Sequence, residues 1–346
     1  MRLVRFAQRG FRNLAEGELV LAPGLTAVVG PNAAGKTNLL EALYLATGGE
    51  VRGPLADRVA FGAREAWLLV EVEAAAGRFR VETRIGPEGR RVWLNRAPVG
   101  LKELASVPGA VWLRPEDLFV VKGPPEERRR FLDALIARFS PRYRALLAAY
   151  ERTLRQRNAA LKEGGRAIAA WDERLAAYGA EILTFRRRVL ARLAPLADEL
   201  HRALALGGLD LRPVETAAPE RLLEKLRERL PEELERGVTL SGPHRDDLAI
   251  LLEGRDAVRF ASRGEARTVA LVLRLAEHRL LERHHQDAPL LLLDDVVAEL
   301  DGARQRALLA YVGGLPQAVI TATEPPPGVE RRVELAAGTW RVRAGA

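Results

Sequence analysis

The sequence predicts an α/β fold: a lobe built on a parallel sheet and carrying an antiparallel β-meander, split by an inserted all-helical lobe. Three observations lead there. The glycine-rich stretch GPNAAGKT (Gly30 to Thr37) lies between a strand-like and a helix-like run. Far downstream, LLLLDD (Leu290 to Asp295) ends another buried strand. Between the two, strand alternation gives way to helical periodicity and then returns.

The elements follow in chain order. A strand opens around Leu3 to Ala7 within MRLVRFAQRGFRNL, and LTAVV (Leu25 to Val29) reads as a buried strand. The loop after it fits G-x-x-x-x-G-K-T. Gly30 and Gly35 let successive N–H groups point inward and, with a helix N-terminus, cradle a polyphosphate. Gly30, Pro31, Asn32, Ala33, Ala34, Gly35, Lys36 and Thr37 are therefore assigned to a nucleotide, ATP, with Lys36 reaching the β and γ phosphates and Thr37 holding Mg²⁺. A helix over Asn38 to Thr47 follows, ended by Gly48 and Gly49. The runs AWLLVEVE (Ala66 to Glu73), RFRVETRI (Arg78 to Ile85) and RRVWLN (Arg90 to Asn95) alternate, with Gly77 and GPEG (Gly86 to Gly89) at the corners. That pattern predicts the β-meander.

Helical periodicity dominates the middle, over 128–139, 143–163 and 166–204. Breaks at Gly164-Gly165, Pro195 and Gly207-Gly208 predict a short antiparallel arm or a compact bundle, with no room for a long coiled coil. Strand patterns return in DDLAILLEG (Asp246 to Gly254) and QAVITAT (Gln317 to Thr323). The chain thus divides into residues 1–122 and 237–346, two parts of one ATPase lobe, around a helical insert at 123–236.

Four leucines suit a strand buried on both faces, which delivers Asp294 and Asp295 at its C-terminal end. Asp294 is placed to bind Mg²⁺ through water and Asp295 to polarise the attacking water, so Lys36 and Asp295 are the candidate catalytic residues. Most of the chain separates Lys36 from Asp294, and one sheet must be completed by two distant segments. Just upstream, FASRGEARTVALVLRLAEHRLLE (Phe260 to Glu282) opens an amphipathic helix. Ser262 is a plausible N-cap with Glu265 at the capping-box position. The helix end carrying Ser262 and Gly264 also suits the γ-phosphate of a nucleotide held by a second subunit.

Composition narrows the class. The chain has 346 residues, 48% of them hydrophobic, enough for one large or two ordinary cores. It contains no cysteine, which removes disulfides, thiolate metal sites and cysteine nucleophiles and agrees with a reducing cytosol. No secretory h-region and no stretch of 18 uncharged apolar residues is present, so a soluble cytoplasmic protein with no membrane partner is expected. Lys+Arg number 54 against 46 Asp+Glu, a formal charge of +8 that suits a polyanion such as nucleic acid. The basic share is almost all arginine, which fits either a thermophile or a GC-rich genome.

The phosphate loop, the Ser-x-Gly turn, the hhhhDD strand and AELD (Ala298 to Asp301) resemble the ABC-type ATPase heads of Rad50 and SMC proteins. Within that group the chain is similar to the RecF family throughout its length. GFRNL (Gly10 to Leu14), PEDLFVVKGPPEERRRFLD (Pro115 to Asp133), SGPHRDDL (Ser241 to Leu248) and LLLLDDVVAELD (Leu290 to Asp301) occur in order. The resemblance implies a weak, DNA-stimulated ATPase that dimerises on ATP and binds double-stranded DNA near single-stranded gaps. It also implies help in loading the RecA recombinase together with RecR. Two ATP molecules would lie between Gly30 to Thr37 of one subunit and Ser262 to Glu265 of the other. Arg12 and Asn13 match the family's Arg-Asn pair near the nucleotide, and Asp301 would sit across the interface.

Some positions depart from the wider pattern. Arg263, Glu265 and Ala266 stand where glutamines are common in this family, and an anionic Glu265 facing a phosphate would be unfavourable. Transport-type heads place a glutamate at the position of Asp295 and a histidine after the next strand, where this chain has ITATE (Ile320 to Glu324). Both departures suggest slow hydrolysis. A transporter head and a long-armed SMC protein are the alternative readings, the first lacking that histidine and the second lacking room for arms. His244 shows no metal-ligand spacing, and Arg128 to Arg130 and Arg186 to Arg188 are either solvated helix faces or phosphate contacts. No base-reading motif is visible, so DNA binding without sequence specificity is expected.

Overall fold

The structure, a computed structural model, describes residues 1–100, 103–107, 109–165, 167–205 and 207–343. The chain runs β1 (Arg2–Arg9), β2 (Gly17–Val20), β3 (Gly24–Val29), α1 (Lys36–Ala46), β4 (Ala66–Ala74), β5 (Gly77–Gly86), β6 (Gly89–Leu94), β7 (Ala97–Val99) and β8 (Ala110–Leu113). It continues through α2 (Leu118–Lys122), α3 (Pro125–Phe139), α4 (Pro141–Lys162), α5 (Ile168–Ala205), β9 (Leu209–Val214), α6 (Leu222–Arg236), β10 (Asp247–Leu252), β11 (Arg255–Asp256) and α7 (Ala257–Phe260). The last elements are α8 (Arg263–His285), β12 (Leu290–Leu293), α9 (Gly302–Gly313), β13 (Gln317–Ala322), β14 (Arg332–Ala336) and β15 (Thr339–Arg343). Two compact units result, one of Met1–Asp117, Ala203–Ala205 and Arg267–Ala346, the other of Leu118–Arg202 and Leu206–Ala266.

The first unit contains two six-stranded sheets. In one, the order is β15-β14-β3-β13-β12-β8, and β14, β3, β13, β12 and β8 run parallel. The strand before the phosphate loop and the leucine strand therefore share a sheet, with β13 between them. Leu290 to Leu293 are all fully buried, which is why this segment carries no polar alternation. The other sheet is the antiparallel meander, β2-β1-β4-β5-β6-β7, closed at one corner where Gly86 pairs with Gly89 around Pro87-Glu88. Its inward residues Phe6, Leu68, Val70 and Val81 join Leu39 and Leu43 of α1 and Leu292 in one buried cluster. Burying each large aliphatic or aromatic side chain contributes about 1.5–3 kcal/mol.

In the second unit α4 and α5 pack antiparallel, as the contacts Arg157 with Asp172 and Gly179 with Tyr150 show. Arg166, the first residue of the expected third helix, lies outside the described residues. Pro195 does not end α5, which runs through it for 38 residues. Pro195 and Ala191, whose carbonyl loses its partner, are both exposed, so water can take the place of the missing N–H.

The insert is also not wholly helical, because LDLRPV forms β9 and pairs antiparallel with β10. That pairing groups β10 with the helices. The second unit accordingly spans Leu118 to Ala266 apart from 203–205, whereas the sequence pattern suggests limits at 123 and 236.

Buried ion pairs tie this unit together. Arg157 is fully buried, with Asp172 and Glu233 each at 2.7 Å and the Thr239 hydroxyl accepting at 2.9 Å. Arg128 makes a bidentate pair with Asp247, at 2.6 and 2.9 Å, and Arg186 pairs with Asp133, at 2.8 and 2.7 Å. Of the two arginine runs considered for phosphate contact, these two members are buried structural cations. Arg130 and Arg187 are held at the surface by Glu126 and Glu215.

His244 is likewise structural. The Tyr150 hydroxyl lies 2.7 Å from Nδ1 and the Thr239 carbonyl 3.2 Å from Nε2. Burial pushes its pKa down to about 4, so the imidazole is neutral, accepting from Tyr150 and donating to Thr239.

Candidate active site

The glycine-rich loop joins β3 to α1, and two of its glycines have separate physical reasons. A Cβ on Gly30 would fall 2.1 Å from the Leu335 carbonyl oxygen. Gly35 has φ 106° and closes on Asn13, a left-handed conformation that only glycine adopts without strain. Ala33 is also left-handed, at φ 63°. No side chain caps α1 and no acidic residue occupies its first turn, so the N–H groups of this helix end remain available to an anion. Lys36 is buried, its Nζ donating to the carbonyls of Gly30 at 3.0 Å and Pro31 at 3.2 Å.

The two aspartates follow β12, one strand removed from β3 in the same sheet, with β13 between them. The Thr37 hydroxyl lies 3.1 Å from Asp294 Oδ1. Asp294 is buried, and its Oδ2 has no hydrogen-bond partner among the described residues. Burial pushes its pKa up to about 6, with the negative charges of Asp295 and Glu116 adding to the rise against hydrogen bonds from Thr321 and Thr37. One hydroxyl and one incompletely satisfied carboxylate suit a small hard cation such as Mg²⁺, which takes its remaining ligands from water and phosphate. Asp295 sits at φ 49°, a strained conformation for a residue with a side chain, of the kind that gathers at functional sites.

Thr321 organises both carboxylates, and the sequence reading missed it. Its hydroxyl lies 2.9 Å from Asp294 Oδ1 and 3.3 Å from Asp295 Oδ1, and it accepts the Asp295 N–H at 2.8 Å. The available signal was a polar residue inside the apolar run QAVITA. Thr321 stands in the ITATE stretch, where transport-type heads carry a histidine.

Arg12, Asn13, Asn32, Lys36, Thr37 and Asp295 face a cleft of about 700 Å³. Arg12 Nε is held by the buried Glu41 of α1 at 2.6 Å, and Glu41 also takes Arg58 at 3.1 Å. Asn13 accepts from Asn38 at 2.7 Å. The lining also includes Asp57, Val59 and Phe61, which carried no motif in the sequence.

The Ser262 turn lies in the second unit. Glu265 N–H donates to Ser262 Oγ at 3.2 Å, and Ser262 N–H donates to Glu265 Oε2 at 2.7 Å. This is a reciprocal capping box. It folds the Glu265 carboxylate back onto its own helix end, leaving Gly264 open on its Cβ side. Asp301 caps α9, accepting from Ala303 and Arg304 at 3.1 and 2.9 Å.

Comparison with known proteins bears on the family and the fold. The family model of the RecF/RecN/SMC N terminal domain matches residues 2–326. The chain is 43% identical over 348 residues to the DNA replication and repair protein RecF of Deinococcus radiodurans, covering 100% of this chain and 95% of the relative. To that of Deinococcus deserti it is 44% identical, covering 100% and 94%. Among solved structures, one of the recombination mediator protein RecF with ATP, in the RecFOR pathway, superposes with a TM-score of 0.89 at 30% identity over 99% of this chain and 97% of that one. An SMC head bound to the C-winged helix domain of ScpA superposes with a TM-score of 0.58 at 16% identity over 99% and 97%, a likeness of fold. The fold is the ABC-type ATPase fold of these heads, with its antiparallel sheet and a helical lobe.

Proposed function

The chain belongs to the RecF family of DNA replication and repair proteins, and on that premise we propose that it is an ATP-dependent DNA-binding clamp. In this reading ATP joins two copies into a homodimer. The dimer binds double-stranded DNA near single-stranded gaps and, with RecR, assists the loading of RecA. Among the described residues no helix is long and apolar enough to cross a membrane. The observation that carries the proposal is the meeting of Lys36, Thr37 and Asp295 at one cleft, with Asp294 bonded to Thr37 beside it, from segments more than 250 positions apart.

The residues divide the work by chemistry. The loop N–H groups and Lys36 bind and orient the phosphates, excluding water from their far side. Thr37 and the open oxygen of Asp294 would hold Mg²⁺, which would supply positive charge beside the phosphates. Asp295 orients the attacking water, its own position fixed by Thr321. Ser262 and the N–H groups opening α8 of the second copy meet the γ-phosphate, so that hydrolysis releases the clamp.

A short carboxylate and a neutral Thr321 favour slow turnover. In Asp295→Asn the size is kept and the charge removed, so ATP binding and dimerisation are expected to persist while hydrolysis falls on the order of a hundredfold or more. Normal turnover in this variant would move the catalytic carboxylate elsewhere, with Glu116 and Asp301 the next candidates.

Gel retardation of gapped DNA with and without ATP tests the proposed function. Retention that requires ATP, and is stronger for gapped than for blunt duplex DNA, is expected. Equal retention without nucleotide would contradict the clamp.

A further inference from the structure

We propose that Lys122 is a positioning residue for the two-chain site. By holding two carbonyls of α7 it keeps the chain broken ahead of α8, so that the helix end carrying Ser262 stays open to a phosphate held by the second copy. This rests on the two-copy reading of Ser262 and adds to it the group that maintains that helix end. Lys122 ends α2, in the stretch PEDLFVVK, far from Ser262 in the chain.

The break between the two helices leaves an acceptor to satisfy. α7 covers only Ala257–Phe260 and stops at Ala261, whose φ of −65° and ψ of 135° are extended. α8 then begins at Arg263. In a continuous helix the Ser262 N–H would donate to the Val258 carbonyl, one turn back. Here it is turned to the Glu265 carboxylate at 2.7 Å, and the carbonyl needs another donor. Lys122 supplies it. Its Nζ donates to the Val258 carbonyl at 3.1 Å and to the Ala257 carbonyl at 3.0 Å, and a cation also suits the C-terminal end of a helix.

Both partners in this contact are fixed. Asp256 caps the other end of α7, accepting the Val258 N–H at 2.8 Å. The Gly123 N–H closes α2 on the Phe119 carbonyl at 2.8 Å, so closely that a Cβ on Gly123 would fall 2.4 Å from that oxygen. The buried Arg128, paired with Asp247 of β10, donates to the Gly123 carbonyl at 2.8 Å. The ammonium therefore leaves a backbone that is itself tied down.

Without the ammonium, the nearest donor in the chain for the Val258 carbonyl is the Ser262 N–H. Taking it would carry α7 on into α8, release Glu265 from the cap and spend the N–H groups of Ser262 to Glu265 on the carbonyls of Val258 to Ala261. The helix would no longer end at Ser262, and those N–H groups could not meet a phosphate.

Sedimentation of the full chain with ATP and Mg²⁺, beside equilibrium ATP binding by the dilute, separate chain, distinguishes this role from local stability. Lys122→Met keeps the stem and removes the donors. Its dimerisation is expected to weaken about tenfold, while ATP affinity of the separate chain stays at the wild-type level. Lys122→Arg can still donate to both carbonyls and should dimerise within about threefold of wild type. Because Lys122 acts through the Ser262 turn, adding Ser262→Ala to Lys122→Met should cost no more than about a further twofold, whereas independent effects would multiply. If Lys122→Met does not fold, Lys122→Gln, shorter but with an amide donor, takes its place with the same expectations. Wild-type dimerisation by the Met or Gln variant, failure of Lys122→Arg to recover, or multiplying losses in the double variant would overturn the inference while leaving the two-copy reading intact. If wild type itself does not dimerise with ATP, that reading fails and the role of Lys122 falls with it.

Discussion

Lys36→Ala is expected to lower ATP affinity on the order of a hundredfold or more, and with it to remove both dimerisation and tight DNA binding. The ammonium is a buried cation that now donates to two carbonyls of its own loop. A phosphate competing for the same donors gains charge-assisted hydrogen bonds, each worth about 1.5–3 kcal/mol. Alanine removes all of them. The loop shape itself depends on Gly30, Gly35 and the backbone bonds of α1, so thermal unfolding close to that of wild type should accompany the loss. ATP-dependent DNA retention at the wild-type level by this variant would remove the assignment of the loop.

Ser262→Arg is expected to abolish ATP-dependent dimerisation while leaving nucleotide affinity of the separate chain nearly unchanged. The Ser262 side chain takes part in the capping box with Glu265 and its carbonyl accepts from the Ala266 N–H of its own helix. Loss of the cap costs about 0.5–2 kcal/mol of stability, a shift that melting would register without unfolding the chain. The larger effect is steric, since the arginine side chain fills the space in front of the helix end. Ser262→Ala serves as the milder control, losing the cap but adding no bulk, and should retain some dimer.

The sequence made the parallel sheet legible because both of its motif-bearing strands end in chemistry: Val29 runs into the phosphate loop and Leu293 into Asp294. The meander was legible for a different reason. Its strands bury one face only, so Ala66 to Glu73 and Arg78 to Ile85 alternate and glycines mark the corners. β9 was not visible, because LDLRPV is a short edge strand with a proline and an arginine and reads as linker until β10 is placed beside it. Pro195 interrupts the heptad-like pattern without ending the helix read over 166–204, because the penalty for an interior proline shrinks where the orphaned carbonyl faces water.

In the candidate site, the residues with a fixed spacing were found and those defined by tertiary contact were not. Thr321 and Glu41 hold Asp294, Asp295 and Arg12 through contacts between segments far apart in the chain. Arg128 and Arg186 show the same limit from the other side. A run of arginines looks like a solvated or phosphate-binding face until Asp247 and Asp133 are seen to bury one member of each. Glu265 was legible at the capping-box position, and its carboxylate does complete the helix cap with Ser262.

The composite, two-chain site is tested most directly by sedimentation of Ser262→Arg, Lys36→Ala and their equimolar mixture, each with ATP and Mg²⁺. Neither variant should form a dimer alone. In the mixture, Lys36 of the Ser262→Arg chain and Ser262 of the Lys36→Ala chain can build one intact site, so partial ATP-dependent association should return, weaker than in wild type. Dimerisation of Ser262→Arg alone, as ready as that of wild type, would contradict the account and leave the Ser262 turn as a helix cap.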